Sequence, residues 1–156
     1  MRGTSKSHTV ARPTPSTETV ITPRTEEPVM QRTTGNIIAD SLESAVSYAD
    51  RLRQDIPHIE AARFARPGGH MVSSNHPCFI FGHLSLYPPK VLGQLNQKSL
   101  PIPAGFEKTF DKTATCQDDP NHTVYPSFDE VLAFFSAGHK KLIETSKAVT
   151  EGMHST

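Results

Sequence analysis

The chain has 156 residues, and 35% of them are hydrophobic. This fraction is low for a fully packed domain of that length, so the composition predicts one domain plus an unpacked segment. Sixteen acidic residues balance sixteen basic ones, so the formal charge is zero and neither nucleic acid nor a membrane surface is an expected partner. The two cysteines are too few for a disulfide framework, and the first residues lack the apolar core of a signal peptide. No run reaches the roughly 18 apolar residues that span a bilayer. Together these features predict a soluble cytoplasmic protein.

The first part of the chain, residues 1–33, is rich in Thr, Ser and Pro. Its apolar residues are scattered and show no helical or strand periodicity. Such a segment cannot bury enough apolar surface to offset the entropy that it would lose on ordering. We therefore expect a disordered tail over 1–33 and a folded domain over 34–152.

A first amphipathic helix is predicted over residues 36–56. Its apolar positions recur at steps of three or four, which places them on one face of a helix. These positions are Ile38, Leu42, Ala45, Ala49, Leu52 and Ile56. Pro57 should end the helix, because proline disfavours helical geometry in the residue before it and lacks a backbone N–H.

A second helix is predicted over residues 76–95. Asn75 can cap its free N–H groups, and Pro77 suits the first turn, where no N–H is needed. The spacing predicts an apolar face made of Ile80, Leu84, Tyr87, Val91 and Leu95. The pair Pro88–Pro89 lies inside this helix and predicts a kink or break near Tyr87.

Residues 96–126 contain several prolines and no sustained periodicity, so they are predicted to form a long ordered loop. The third helix follows, since Ser127 and Glu130 have the spacing of a capping box. Its predicted apolar face is Phe128, Leu132, Phe135, His139, Leu142, Ser146 and Val149. No fourth amphipathic segment follows, so we expect a domain that is incomplete at its C-terminus.

The combination of Asn75-His76-Pro77 with Gly82-His83-Leu84 resembles the second helix of the DinB-like superfamily. The resemblance extends from about residue 36 to residue 149 and includes Cys116-Gln117-Asp118-Asp119-Pro120 and Tyr125-Pro126. It implies an all-α fold, an antiparallel four-helix bundle of which this chain carries three long helices. It also implies a metal-dependent protein, and some members of the family are similar to thiol-dependent transferases or isomerases. The substrate is not implied.

In that family a divalent metal, expected here to be zinc, nickel or iron, is typically held by one histidine on the second helix and two on the last. His83 matches the first position. The pair would have to lie beyond Val149, where His154 stands without a partner. His139 could meet His83 across the bundle, but the preferred interpretation of His139 is a core or boundary histidine with one hydrogen bond. We therefore expect no tightly bound metal.

Three other groups of polar residues have simpler interpretations. His76 and His83 are seven residues apart, about 10 Å along a helix axis, which is too far to share a metal ion. Cys78 lies in the first turn of a helix, yet it has no resolving cysteine or adjacent base and is interpreted as a buried structural thiol. Residues 116–122 lack the ligand pattern of a calcium loop and predict a polar turn.

Two functions remain open at this point. One is the metal-dependent enzyme that the resemblance implies, with His83 as the surviving ligand. The other is a non-enzymatic bundle whose exposed core face pairs with another chain. Because a fourth helix is missing, we expect an uncovered apolar strip and a homo-oligomer, with Phe135 and Leu142 of the third helix at the interface.

Overall fold

The computed structural model describes residues 32–149, and their regular structure is entirely helical. The expected tail at 1–33 lies outside the described residues except for its last two positions, as do residues 150–152 of the predicted domain. The predicted all-α fold is confirmed. The helices are α1 (Thr34–Arg53), α2 (Pro77–Ser85), α3 (Tyr87–Gln94), α4 (Phe106–Phe110) and α5 (Phe128–Ala148), with single 3₁₀ turns at His58–Glu60 and Pro67–Gly69.

Helix α5 is the central element, since α1, α2 and α3 all pack against it. It begins with the predicted capping box: the Ser127 hydroxyl accepts from the Glu130 N–H at 3.3 Å, and the Glu130 carboxylate accepts from the Ser127 N–H at 3.2 Å. The predicted apolar face is confirmed, because five of its residues are buried and the other two are half-buried. The buried ones are Phe128, Leu132, Phe135, Leu142 and Ser146.

Helix α1 runs antiparallel to α5. Its N-cap is Thr33, whose hydroxyl accepts from the Asn36 N–H at 3.2 Å. Gly35 then lies so close to the end of α5 that a Cβ at this position would be 2.2 Å from the carbonyl oxygen of Ser146. At the other end, His58 follows α1 and lies 3.0 Å from Asp129 at the start of α5.

The predicted buried face of α1 is wrong in part. Its Ile38, Ala45 and Leu52 are exposed, whereas Leu42, Ala49 and Ile56 are half-buried. The fully buried residues of α1 are Gly35 and Ala39, and Val46 is half-buried beside the core. The close approach of the two helices explains the difference, because only small residues fit between them. The helix also ends at Arg53, three residues before the predicted end at Ile56.

The predicted second helix is two helices, α2 and α3, separated at Leu86. This confirms the break expected near Tyr87. The break places Pro88 and Pro89 in the first turn of α3, where their missing N–H groups leave no hydrogen bond unmade. The N-cap of α2 is His76 and not Asn75, which corrects the sequence prediction.

Helix α2 runs parallel to α5. Phe81 makes edge-to-face contacts with Phe128 and Phe135, and farther along, Pro88 lies against Gly138. The loop predicted over 96–126 is mostly irregular, but it contains the short helix α4, which packs on α2. Phe106 and Phe110 of α4 are buried in the core.

The core is aromatic. Seven of the eight phenylalanines belong to it, so ring-to-ring packing joins α2, α4 and α5. The ring contacts include Phe106 with Phe134, Phe110 with Tyr125, and Phe79 with Phe110. Within residues 32–149, no helix has the length and apolar character required to cross a membrane.

Candidate functional site

Four of the five residues of the predicted apolar face of the second helix are exposed, and the fifth, Val91, is half-buried, so the prediction that this face lies in the core is wrong. Ile80, Leu84, Tyr87 and Leu95 are 42%, 40%, 49% and 39% exposed, and they lie along one side of α2 and α3. We call these four residues the α2–α3 stripe. The opposite sides of α2 are buried, since Cys78, Phe79, Phe81, Gly82 and Ser85 all pack inward.

Helix α1 also has exposed apolar side chains on the side that faces away from α5. Ile37, Ile38, Tyr48 and Leu52 are the residues of this α1 stripe. By contrast, Phe135 and Leu142 of α5, which the sequence predicted to form an interface, are buried beneath their neighbours. Eight of the twelve large apolar side chains that are exposed among residues 32–149 therefore lie on α1 and on α2–α3, and the expectation that α5 presents an uncovered apolar strip is wrong.

His83 lies beside the α2–α3 stripe in a defined orientation. Its Nδ1 is 2.7 Å from the carbonyl oxygen of Phe110, and because a carbonyl only accepts, Nδ1 carries the proton. With the proton on Nδ1, Nε2 has a lone pair, and this lone pair accepts a hydrogen bond from the Tyr87 hydroxyl at 3.3 Å. The ring also stacks on Phe79 at 6.4 Å between centroids. A metal-binding histidine characteristically uses the same N–H to carbonyl bond to orient its free nitrogen.

His139 lies in a different environment. Its Nδ1 donates to the carbonyl oxygen of Phe135 one turn earlier at 2.8 Å, and its ring packs on the Phe135 ring. Burial lowers the pKa of His139, so the neutral form is favoured. Phe135 contacts Phe81, which is on the other side of α2 from His83. Among residues 32–149, no three His, Cys, Asp or Glu side chains form a group that could hold a metal ion.

His76 has a structural role at the start of α2. Its Nδ1 accepts the Phe79 N–H at 3.1 Å, so the proton is on Nε2, which donates to the carbonyl oxygen of Gln117 at 3.0 Å. The ring also packs against Tyr125 at 4.8 Å between centroids. Burial lowers the pKa of His76, although the bond to Gln117 and the charges of Asp118 and Asp119 oppose the shift. Its use of both nitrogens leaves none for a ligand.

The 116–122 segment is a structural turn, as the sequence predicted. Asp119 is buried, and its carboxylate accepts from three successive backbone N–H groups, those of Thr123, Val124 and Tyr125, at 2.9 to 3.1 Å. Burial alone would raise the pKa of Asp119, but these three donors hold the pKa below its ordinary value. The Asp119 N–H donates to the carbonyl oxygen of Ala62, and this bond joins the turn to the segment before α2.

The neighbouring carboxylate, Asp118, holds the same two segments together from the outside. It accepts from the Arg63 guanidinium at 2.8 Å, from the Phe64 N–H at 2.8 Å and from Arg66 at 3.2 Å. The Arg63 hydrogen bond is the main reason that the pKa of Asp118 is far below its ordinary value. The charge is therefore matched within the chain.

Cys78 lies at the wall of a cavity of about 320 Å³ between the 58–62 turn and the start of α5. Burial raises the pKa of its thiol to about 12, so the nucleophilic thiolate is strongly disfavoured. His58 and Asp129 line the same cavity at its rim and interact with each other. This agrees with the interpretation of Cys78 as a structural thiol.

Two structurally important residues lie in motifs that were named from the sequence, but the role of neither residue was identified there. Gly82 is one: a Cβ there would lie 2.4 Å from ring atoms of Phe110, so glycine allows α4 to approach α2. Asp119 is the other, since a carboxylate that caps a loop has no periodic signature. The short pattern Asp-Asp-Pro, which is typical of turns, was the available signal for it.

Comparison with models of protein families, with curated proteins and with solved structures finds no significant match for this chain.

Proposed function

We propose that this chain is a DinB-like helical module that acts by pairing its α2–α3 side with another polypeptide. The observation that supports this most directly is the α2–α3 stripe. Four large apolar side chains lie along one side of two consecutive helices, while their other sides are packed in the core. A helix that is apolar on all sides is normally buried on all sides.

The stripe differs from the scattered apolar residues that every protein surface carries. Ile80, Leu84 and Tyr87 follow one another at helical spacing, so they form a continuous ridge. Contiguous apolar patches larger than a few hundred Å² typically mark interaction sites. The partner can be a second copy of this chain, which agrees with the expected homo-oligomer, or a helix of a different protein. The two free cysteines suit a reducing compartment, and we propose the cytoplasm as the location.

Photo-crosslinking from within the stripe tests this function. A photoreactive amino acid at position 84, in the full chain produced in cells, should give an adduct with a polypeptide outside its own chain. The matched control is position 72, where Val72 is also about half-exposed, at 43%, but lies outside the stripe. An adduct at position 84 and none at 72 supports the proposal, whereas an equal absence of adducts at both positions contradicts it.

A second candidate function is the metal-dependent activity that the DinB-like resemblance implies. The specific observation in its favour is the hydrogen bond from His83 to Phe110, which orients the ring, so that a metal ion could take the place of the exposed Tyr87 hydroxyl at Nε2. In this function His83 would be one ligand of a zinc, nickel or iron ion, and further ligands would come from outside residues 32–149. A metal held in this way would supply Lewis acidity to a thiol substrate.

Calorimetry with zinc and nickel distinguishes the two functions. A metal site needs three or four ligands, and the described residues present one, so we expect weak binding by the chain alone. His139→Ala is the matched control for His83→Ala, because both histidines bond a backbone carbonyl through Nδ1. Submicromolar affinity that His83→Ala abolishes and His139→Ala retains would favour the metal-dependent function over the pairing function.

A further inference from the structure

The cavity between the 58–62 turn and the start of α5 has no part in the pairing function. Its volume of about 320 Å³ lies at the lower end of the range of small-molecule sites. We infer that this cavity binds a small organic cation, a primary amine with a short apolar body. The inference is independent of the proposed function and rests on the wall of the cavity, on its charge and on the arrangement of His58 and Asp129.

Most of the cavity wall is apolar. Three separate parts of the chain form it: the 58–62 turn, the first turn of α2 and the segment that leads into α5. The apolar residues that they contribute are Ile59, Ala62, Cys78, Tyr125, Pro126 and Phe128. Small-molecule sites typically combine such a wall with a few polar groups, so the ligand should have an apolar part.

The charge around the cavity is negative. Among the described residues that line it, Asp119 and Asp129 are acidic and none is lysine or arginine. Asp119 is ionised, because three backbone N–H donors hold its pKa below the ordinary value. The positive end of α5 does not reverse the sign, since Asp129 and Glu130 occupy the first turn of that helix. A cation is therefore favoured over an anion.

His58 and Asp129 place two hydrogen-bond acceptors at the mouth of the cavity. His58 Nδ1 lies 3.0 Å from Asp129 Oδ1, and because a carboxylate only accepts, Nδ1 carries the proton. The neutral ring therefore has a lone pair on Nε2, and the carboxylate has a second oxygen. Neither of these two atoms has a hydrogen-bond partner within residues 32–149. The N–H groups of an ammonium ion are the donors that both acceptors lack.

Two further features fit an amine at this position. The His58 ring is held in place, since it also packs edge-to-face on Phe128 at 5.3 Å between centroids. Aromatic rings in the wall attract a cation through their faces. In contrast, the Ser127 hydroxyl is already used within the chain, because it donates to the Glu130 carboxylate and accepts from the Glu130 N–H. The acceptors that are open to a ligand therefore lie beside the carboxylate of Asp129.

Titration of the full chain with benzylamine, followed by the NMR shifts of backbone amides, tests the inference. Benzylamine is a cation at neutral pH, and benzyl alcohol and benzoate are neutral and anionic probes of similar size. We expect benzylamine to bind with shifts centred on residues 58–62 and 125–129. Benzyl alcohol should bind about 5-fold more weakly, which is the effect of one partly exposed ion pair, and benzoate more weakly still.

Asp129→Asn removes the charge and retains the shape of the side chain. It should weaken benzylamine by about 5-fold and leave benzyl alcohol unchanged, a difference that a distorted cavity would not produce. Asp55→Asn removes an exposed carboxylate outside the cavity and should affect neither probe. If Asp129→Asn does not fold, the wild-type chain at about 1 M salt replaces it, because screening should weaken benzylamine but not benzyl alcohol.

Three outcomes would overturn the inference: no binding of benzylamine at tens of millimolar, binding of benzoate as tight as that of benzylamine, or an affinity for benzylamine that neither Asp129→Asn nor salt reduces. Shifts confined to residues outside the cavity would overturn it as well. None of these results bears on the α2–α3 stripe, whose pairing function is tested separately by crosslinking from position 84.

Discussion

His83 donates its Nδ1–H to the carbonyl oxygen of Phe110 over 2.7 Å, and this bond joins α2 to α4. The side chain of the same Phe110 covers the preceding residue, Gly82. Phe110 therefore makes both the hydrogen bond that orients the imidazole and the packing that holds α4 against α2. The orientation of His83 depends on this close approach of the two helices.

Substituting Gly82 tests the approach of α4. In Gly82→Ala the new Cβ would lie 2.4 Å from Phe110 ring atoms, so we expect a loss of about 1–3 kcal/mol in the free energy of unfolding from overpacking. The matched control is Gly93→Ala in α3, where the new Cβ would have no atom of another part of the chain within 4 Å. It should raise stability by up to about 1 kcal/mol, because alanine is the better helix former. Urea denaturation measures both, and equal stability of the two variants would argue against this packing.

The Asp119 turn should be among the most sensitive positions outside the apolar core. Asp119→Ala leaves the N–H groups of Thr123, Val124 and Tyr125 without their acceptor, and we expect a loss of at least about 3 kcal/mol. Asp55→Ala, at an exposed position after α1, should change stability by less than about 0.5 kcal/mol. Thermal or chemical denaturation compares the two. A fully stable Asp119→Ala protein would show that these three hydrogen bonds do not stabilise the turn.

The pH dependence of stability should report on His76. Burial lowers the pKa of His76 in the folded chain below the value of about 6.5 expected for the unfolded chain. At pH values between these two pKa values, the unfolded state therefore binds more protons than the folded state. The contribution of His76 is therefore complete above about pH 6.5 and is lost as the pH falls from there through the folded pKa. The physical reason is that a proton on Nδ1 removes the acceptor that caps α2. His139, whose pKa is also lowered, acts in the same direction.

Urea midpoints between about pH 7.5 and pH 5 measure this effect. The slope of stability against pH should be shallower in His76→Gln than in the wild type, whatever the absolute stability of the variant. The exposed His70 provides the control, and His70→Gln should retain the wild-type slope. A slope that is unchanged in His76→Gln would show that protonation of His76 is not coupled to folding.

Helix α5 could be predicted from the sequence almost completely, whereas the orientations of α1 and α2 could not. The face of α5 consists of large apolar residues that repeat at three and four, and Ser127 and Glu130 mark its start. In α1 the buried positions are small, because Gly35 touches the backbone of α5. A prediction based on large side chains therefore included the exposed Ile38 and Leu52 and left out the buried Gly35 and Ala39.

In α2 the difficulty was the lack of polar residues. Nearly every position from Pro77 to Ser85 is apolar or small, so periodicity could not identify the buried side. His83 was named as a candidate metal ligand on that helix, but its bond to Phe110 could not be predicted, because the short helix α4 has no sequence signal strong enough to predict. The cap by His76 was missed because Asn75 is the commoner capping residue type.

The measurement that tests the central claim most directly is crosslinking from position 84 in chains with and without a charge in the α2–α3 stripe. If the stripe pairs with another polypeptide, Ile80→Glu should abolish the adduct, because the substitution would bury an unpaired carboxylate in the contact. Val72→Glu adds the same charge outside the stripe and should keep the adduct. An adduct that persists in Ile80→Glu would contradict the claim that the stripe is the pairing surface.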